Sequence, residues 1–136
     1  PLKEICELRV GDLVDEIAVL FLWATSPLLP EALKVVKAWG FNYKASMVWI
    51  KDRAPGIGWF VNTKHEFLLI ATNGQGVHPD VKFDSVFEGK VRRHSQRPDE
   101  CYEMYEKMYE GPYLELFARN TREGWDSWGN EITQQY

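Results

Sequence analysis

Ala18-Val-Leu-Phe-Leu-Trp-Ala24, closed by Thr25-Ser26-Pro27, decides the architecture of this chain. An uninterrupted apolar run of strand length is the pattern of a strand covered on both faces, as in the sheets of α/β proteins. The residues after it predict a helix. Ser26 is placed as its N-cap and Pro27 in its first turn, and Leu28, Leu29, Ala32, Val35, Val36 and Trp39 form an apolar stripe that Gly40 closes. Upstream, Leu2 to Leu8 and Leu13 to Ile17 carry apolar residues at helical spacing around the turn signal Gly11-Asp12, which predicts two short helices. Downstream, Tyr43 to Ile50 and Glu66 to Thr72 are strands, the second ended by Asn73-Gly74. Between them Lys51 to Thr63, with Pro55, Gly56 and Gly58, is a loop carrying an aromatic pair, Trp59 and Phe60.

The second half is less regular. Val81, Phe83, Val86 and Phe87 point to a short strand ahead of the basic stretch Lys90 to Arg97. Pro98-Asp-Glu100 opens a helix to about Tyr109, Gly111-Pro112 breaks it, and Tyr113 to Ala118 is a fourth strand. The tail carries Trp125 and Trp128 in one further short apolar element. Strands alternating with helices predict one α/β domain over residues 1–136 with a largely parallel sheet. Ligands of such sheets bind at the carboxyl ends of the strands, which directs attention to Trp23–Ser26, Lys51–Lys64, Ala71–Gly76 and Arg119 onward.

Composition narrows the function classes. The chain has 136 residues, of which 45% are hydrophobic and 26% charged, enough apolar matter for a core and too much for intrinsic disorder. The apolar run from Ile17 to Ala24 is too short to cross a bilayer, and no basic-then-apolar leader precedes it, so a cytoplasmic protein is expected. Cys6 and Cys101 stand apart with no CxxC, and His65, His78 and His94 are dispersed, so neither a disulfide framework nor a metal site is expected. A net charge of -4 excludes a wholly basic nucleic-acid-binding surface while leaving room for a local basic patch. No phosphate-binding glycine loop, nucleophile elbow or zinc-protease motif is present.

Three groups of polar residues remain. His65-Glu66, just ahead of a strand, is either an ion pair or a functional polar edge, and the Lys90–Arg97 run either contacts a phosphate backbone or anionic ligand or is a solvated basic face; the structural reading is favoured for both. Phe117-Ala-Arg119-Asn120 sets an arginine and an amide at the end of an apolar strand, and Asn130-Glu131 adds an amide and a carboxylate beyond it. Nucleoside-binding α/β proteins use such an acid to accept the ribose hydroxyls.

Taken in order, Val19 to Thr25, Trp39-Gly-Phe-Asn-Tyr43, Val48-Trp-Ile-Lys51, His65 to Ala71, His94-Ser-Gln-Arg-Pro98, Glu115 to Arg119, Trp125 and Trp128-Gly-Asn-Glu131 resemble the motifs of the MT-A70 family. Its members are S-adenosylmethionine-dependent methyltransferases that modify the exocyclic amine of adenine in DNA or RNA. The resemblance runs from about Leu2 to Glu131 and is closest to compact bacterial and phage members. It implies a Rossmann-like methyltransferase sheet flanked by helices. It also implies a cofactor site: Arg97 facing the methionine carboxylate, Arg119 on the ribose side, Asn120, Thr121 and Arg122 in the adjoining loop, and Asn130 and Glu131 on the ribose hydroxyls. Lys51 and Arg53, in the loop after the second strand, and Arg92 and Arg93 are implied on the nucleic-acid face. No metal is implied.

One departure is large. Family members carry Asp-Pro-Pro-Trp or a close variant, whose polar groups hold the adenine amine for in-line attack on the sulfonium methyl. None of the prolines here has an adjacent proline. No catalytic residue is therefore assigned, and the chain by itself is expected to be inactive. In the resembled fold the strand leading to that tetrapeptide lies between Ala18–Trp23 and Tyr113–Ala118. A domain amino-terminally truncated relative to the family is expected, its sheet lacking one central strand: either the two neighbouring strands pair directly, or another segment fills the gap, a homo- or hetero-oligomer being one way to complete the sheet. The alternative is a non-catalytic partner or nucleic-acid-binding module on the same fold.

Overall fold

The computed structural model describes residues 2–8, 10, 17–54, 56, 58–91, 97–117 and 121–128. Helix α1 spans Leu2–Cys6 and strand β1 Val19–Ala24; a 3₁₀ turn at Ser26–Leu28 leads into helix α2, Leu29–Ala38. Strands β2, Asn42–Lys51, β3, His65–Thr72, and β4, Val86–Gly89, precede helix α3, Glu100–Met108; β5, Tyr113–Leu116, and β6, Trp125–Trp128, follow it. The second helix expected, Leu13 to Ile17, lies almost wholly outside the described residues.

Strands β1 to β4 form one sheet in the order β1-β3-β2-β4, and β5 and β6 form a separate parallel pair. The expected largely parallel arrangement is corrected here. Strand β3 runs antiparallel to both neighbours, with Leu22 opposite Leu69 on one side and Met47 opposite Leu68 on the other, while β2 and β4 are parallel. The cause is the connection: among the described residues no helix lies between β2 and β3, and a parallel pair needs a crossover, usually helical. Strands β1, β2 and β4 thus share a direction and β3 opposes it.

Alternation along β1 and β3 divides the core into two layers. Leu20, Leu22 and Ala24 of β1, with Phe67, Leu69 and Ala71 of β3, pack with Val35, Val36 and Trp39 of the α2 segment and with Leu2 and Ile5 of α1. The intervening residues Phe21, Trp23, Leu68 and Ile70 pack against Cys101, Met104 and Met108 of α3. A strand covered on both faces has no polar side to alternate with, which is why its sequence reads as continuous.

Local chemistry fixes the helix ends. Pro27 and Pro30 occupy first turns, where the missing N–H costs no internal hydrogen bond. Ser26 is not the helix N-cap: it belongs to the 3₁₀ turn, whose flanking Thr25 makes no side-chain capping bond. Gly40 sits at φ 84°, a left-handed conformation that ends α2, and the Phe41 N–H donates back to the Val36 carbonyl at 3.0 Å. The Trp39 indole donates to the Ile5 carbonyl at 2.8 Å and ties α1 to α2. The two cysteines are free thiols, and burial pushes the Cys101 thiol up to about 12.

The two sheets are separate among the described residues. Among the described residues β1 pairs with β3 alone and β5 with β6 alone, and no strand joins the two sheets. Instead a cleft of about 1180 Å³ opens between them, bordered by Val19 to Trp23 on one side and by Tyr113 to Phe117 on the other.

Candidate functional site

Because β3 is reversed, one end of the main sheet collects the carboxyl ends of β1, β2 and β4 with the amino end of β3. Here Trp23, Lys51, Gly89 and Glu66 meet. The Ala71–Gly76 segment, expected at this end, lies at the other. There the Asn73 side-chain oxygen accepts a 2.6 Å bond from the Ala18 N–H and closes the strand pair.

Glu66 is the centre of the cluster. It is buried, and the register that opposes it to Trp49 puts its side chain on the α3 face beside Leu68. The Lys51 amine donates to Glu66 Oε1 at 2.8 Å, while Arg97 approaches Oε2 through Nη2 at 3.1 Å and Nε at 3.2 Å. Two tryptophans support the cations. Lys51 Nζ stands 5.1 Å from the Trp49 ring centroid and the Arg97 guanidinium 5.5 Å from that of Trp23, and the two indoles meet edge to face at 5.9 Å. The Trp49 indole N–H is itself fixed by the Gly89 carbonyl at 2.9 Å. A carboxylate out of water is tolerated only when charge and hydrogen bonds compensate it, and Glu66 has both.

Arg97 lines the cleft, next to Pro98 and Asp99 at the start of α3. Lys51 is drawn into the ion cluster, its amine buried on Glu66 rather than presented on the outer face of loop 52–64. Beside it, the Asp52 carboxylate accepts the Val91 N–H at 2.9 Å, a bond that lowers its pKa and ties the end of β2 to the basic segment. Arg53 is exposed on the loop, and Trp59 and Phe60 are 97% and 99% exposed. Arg92 and Arg93 lie outside the described residues.

The opposite wall of the cleft rests on α3. Tyr102 donates to both oxygens of Glu115 in β5, at 2.8 and 2.7 Å; burial first, then that carboxylate, raises the phenol pKa. Glu106 accepts from Arg122 Nη2 at 2.8 Å and from the Trp125 indole at 3.1 Å, and these two bonds, in that order, lower its pKa. Trp125 also stacks on Tyr113 with centroids 4.7 Å apart, locking β6 to β5. Arg122 is therefore held against Glu106, over the Tyr102 ring at 4.9 Å. Thr121 is exposed directly before it, and Arg119, Asn120, Asn130 and Glu131 lie outside the described residues. Phe117, the residue after β5, takes a positive φ of 58°, a strained conformation for an aromatic residue and one that clusters at ligand-binding turns.

The structure thus joins Arg97 to the cleft and adds Glu66, Trp23 and Trp49 as residues of the same site. The signal for Glu66 was present as a carboxylate at the mouth of an apolar strand. Its partners, 15 and 31 positions away, were not readable from spacing. Among the described residues no group of His, Cys, Asp and Glu could hold a metal ion, and no helix is long and apolar enough to cross a membrane.

Fold and site together define a mixed-sheet α/β domain with a cleft along its strands and a cationic side chain at the rim. The chain is a member of the MT-A70 family, whose model matches residues 2–131. It is similar to the type II methyltransferase M.MunI of a Mycoplasma species, with 31% identity over 96% of this chain and 58% of that protein. Similar too are the MT-A70-like N(6)-adenosine-methyltransferase of Arabidopsis thaliana, 31% identical over 84% of this chain and 18% of the relative, and the human N(6)-adenosine-methyltransferase catalytic subunit METTL3, 29% identical over 95% and 24%. The chain spans little more than half of the first relative and less than a quarter of the other two.

Proposed function

We propose that this domain binds S-adenosylmethionine in the cleft and serves the transfer of its methyl group to the exocyclic amine of adenine in DNA or RNA. The observation that carries this reading is the family match along residues 2–131, joined to the placement of Arg97 at the cleft wall. The relatives named as methyltransferases, two of them N(6)-adenosine-methyltransferases, support the chemistry.

The residues present suit such a ligand. The cleft is roomier than the roughly 300–1,000 Å³ of ordinary ligand sites, has aromatic walls, and offers a guanidinium that can meet a carboxylate in two-pronged fashion. When bound, the cofactor supplies an electrophilic methyl group on a positively charged sulfur. Arg97 holds its carboxylate end, and Arg119, Asn120, Thr121, Arg122, Asn130 and Glu131 serve its nucleoside end. Arg122 contributes from its anchorage on Glu106. Arg53, Arg92 and Arg93 face the nucleic acid, whose target base is single-stranded or flipped from its stack.

The 136 residues hold no Asp-Pro-Pro-aromatic sequence, and among the described residues β1 and β5, each paired with one strand, border the cleft from its two sides. Both observations support a domain that is inactive by itself and whose sheet is completed by a strand of a partner or a second copy. The same observations favour, as a second reading, a non-catalytic module that keeps the fold. A cytoplasmic setting suits the free thiols, the cofactor and the nucleic acid alike.

The test is a methylation assay with adenine-containing DNA and RNA, run beside calorimetric titration with S-adenosylmethionine and oligonucleotide. We expect cofactor binding without turnover. Robust turnover by the chain alone overturns the inactivity, and oligonucleotide binding without cofactor affinity selects the non-catalytic module.

A further inference from the structure

The cofactor reading uses Arg97 and leaves the buried carboxylate beside it unexplained. An arginine has several rotatable bonds, and a guanidinium at a cleft rim loses considerable side-chain freedom when it meets a ligand. Here that freedom is already restricted. Glu66 takes the Nε and Nη2 side of the guanidinium, Trp23 lies under its plane, and the Arg97 side chain remains 31% exposed while that of Glu66 is only 7% exposed. Of the three charged members of the cluster, Arg97 alone lines the cleft.

Lys51 completes the hold. Its amine, 2.8 Å from the other oxygen, compensates Glu66 within the core and keeps that carboxylate in place as the acceptor of Arg97.

We propose that Glu66 is a positioning residue: by holding the Nε and Nη2 side of Arg97 above Trp23, it presents the guanidinium to a carboxylate in the cleft. The ligand part of this inference rests on the cofactor reading above, whereas the hold of Glu66 on Arg97 stands independently of it.

The experiment compares the wild-type chain with Glu66→Gln and with the double variant Lys51→Met/Glu66→Gln. The double variant removes both buried charges together, so that neither is left unpaired in the core. The first readout is hydrogen exchange at Arg97 Nε, followed by nuclear magnetic resonance and assigned by the signal lost in Arg97→Lys. It should quicken about tenfold or more in both variants, because a charge-assisted bond has been weakened or lost. The second is the Kd for S-adenosylmethionine and for methylthioadenosine, which shares the nucleoside but has no carboxylate. The first Kd should rise about tenfold in the variants, the size of one such bond, and the second should not change.

Unaltered exchange at Arg97 Nε overturns the proposal, and so does equal weakening of both ligands, which is what a merely structural carboxylate produces. A wild-type chain that binds neither ligand overturns the cofactor reading instead. The exchange measurement then still decides whether Glu66 holds Arg97.

Discussion

Leu68 has no accessible surface and lies at the middle of β3, between Met47 across the sheet and the methionines of α3. Its neighbours belong to different elements and can close only part of the space a truncation leaves. Leu68→Ala should therefore cost about 2–5 kcal/mol, the range for emptied core sites. A urea midpoint that moves with an unchanged slope would register the loss, and a cost under about 1 kcal/mol would show that the two layers are less tightly joined than the contacts indicate. Glu66 illustrates how far single residues were legible. As a charged residue at the start of an apolar strand it read as a local pair with His65. The structure pairs it instead with Lys51 and Arg97, and His65 turns to the Phe67 ring, with centroids 5.2 Å apart.

Helix α3 carries the small sheet as well as one layer of the core. Glu106 is the fastening, since it accepts from both Arg122 and the Trp125 indole and so binds the chain ahead of β6, and β6 itself, to the helix. Its pKa is lowered in the folded protein, chiefly by Arg122 and then by Trp125. The stabilisation it gives is present above the ordinary carboxylate pKa and is lost as pH falls through the lowered one. We expect acid titration to release Trp125 from α3 before the main sheet unfolds, seen as a shift in tryptophan emission that Glu106→Gln largely abolishes. A shift of equal size in that variant would place the acid-sensitive contact elsewhere. Hydrophobic runs and glycine breaks located most elements. They carried β5 on through Phe117, which is a turn residue, to Ala118, outside the described residues, and they left β6 as an unnamed apolar element, because strands of four residues carry little periodicity.

Across the molecule, a cleft lies between β1 and β5, while Leu116 of β5 packs against the core of the main sheet. Strand β3 has hydrogen-bonded neighbours on both sides, whereas β1 has one among the described residues. Amide exchange should follow that asymmetry. In β3 the amides from Phe67 to Thr72 should be protected, and in β1 alternate amides, those aimed away from β3, should exchange rapidly. Uniform protection along β1 would mean that a strand already covers its open edge. The same edge is the feature by which this domain would pair with another chain, since a strand with unpaired N–H and C=O groups is a template for addition.

Residue order alone determined that the chain is α/β, where its long strands lie, which family it resembles, and that the catalytic tetrapeptide is absent. These are local or collinear properties, readable from apolar runs, breakers and motif order. Strand direction, the composition of the site and the shape of the gap were decided only in three dimensions. A loop without a helix turned β3 against its neighbours, and that reversal brought Glu66, not Ala71 to Gly76, to the end of the sheet where Lys51 and Arg97 arrive. Contacts between residues 15 and 31 positions apart depend on register and packing, and no spacing along the chain encodes them.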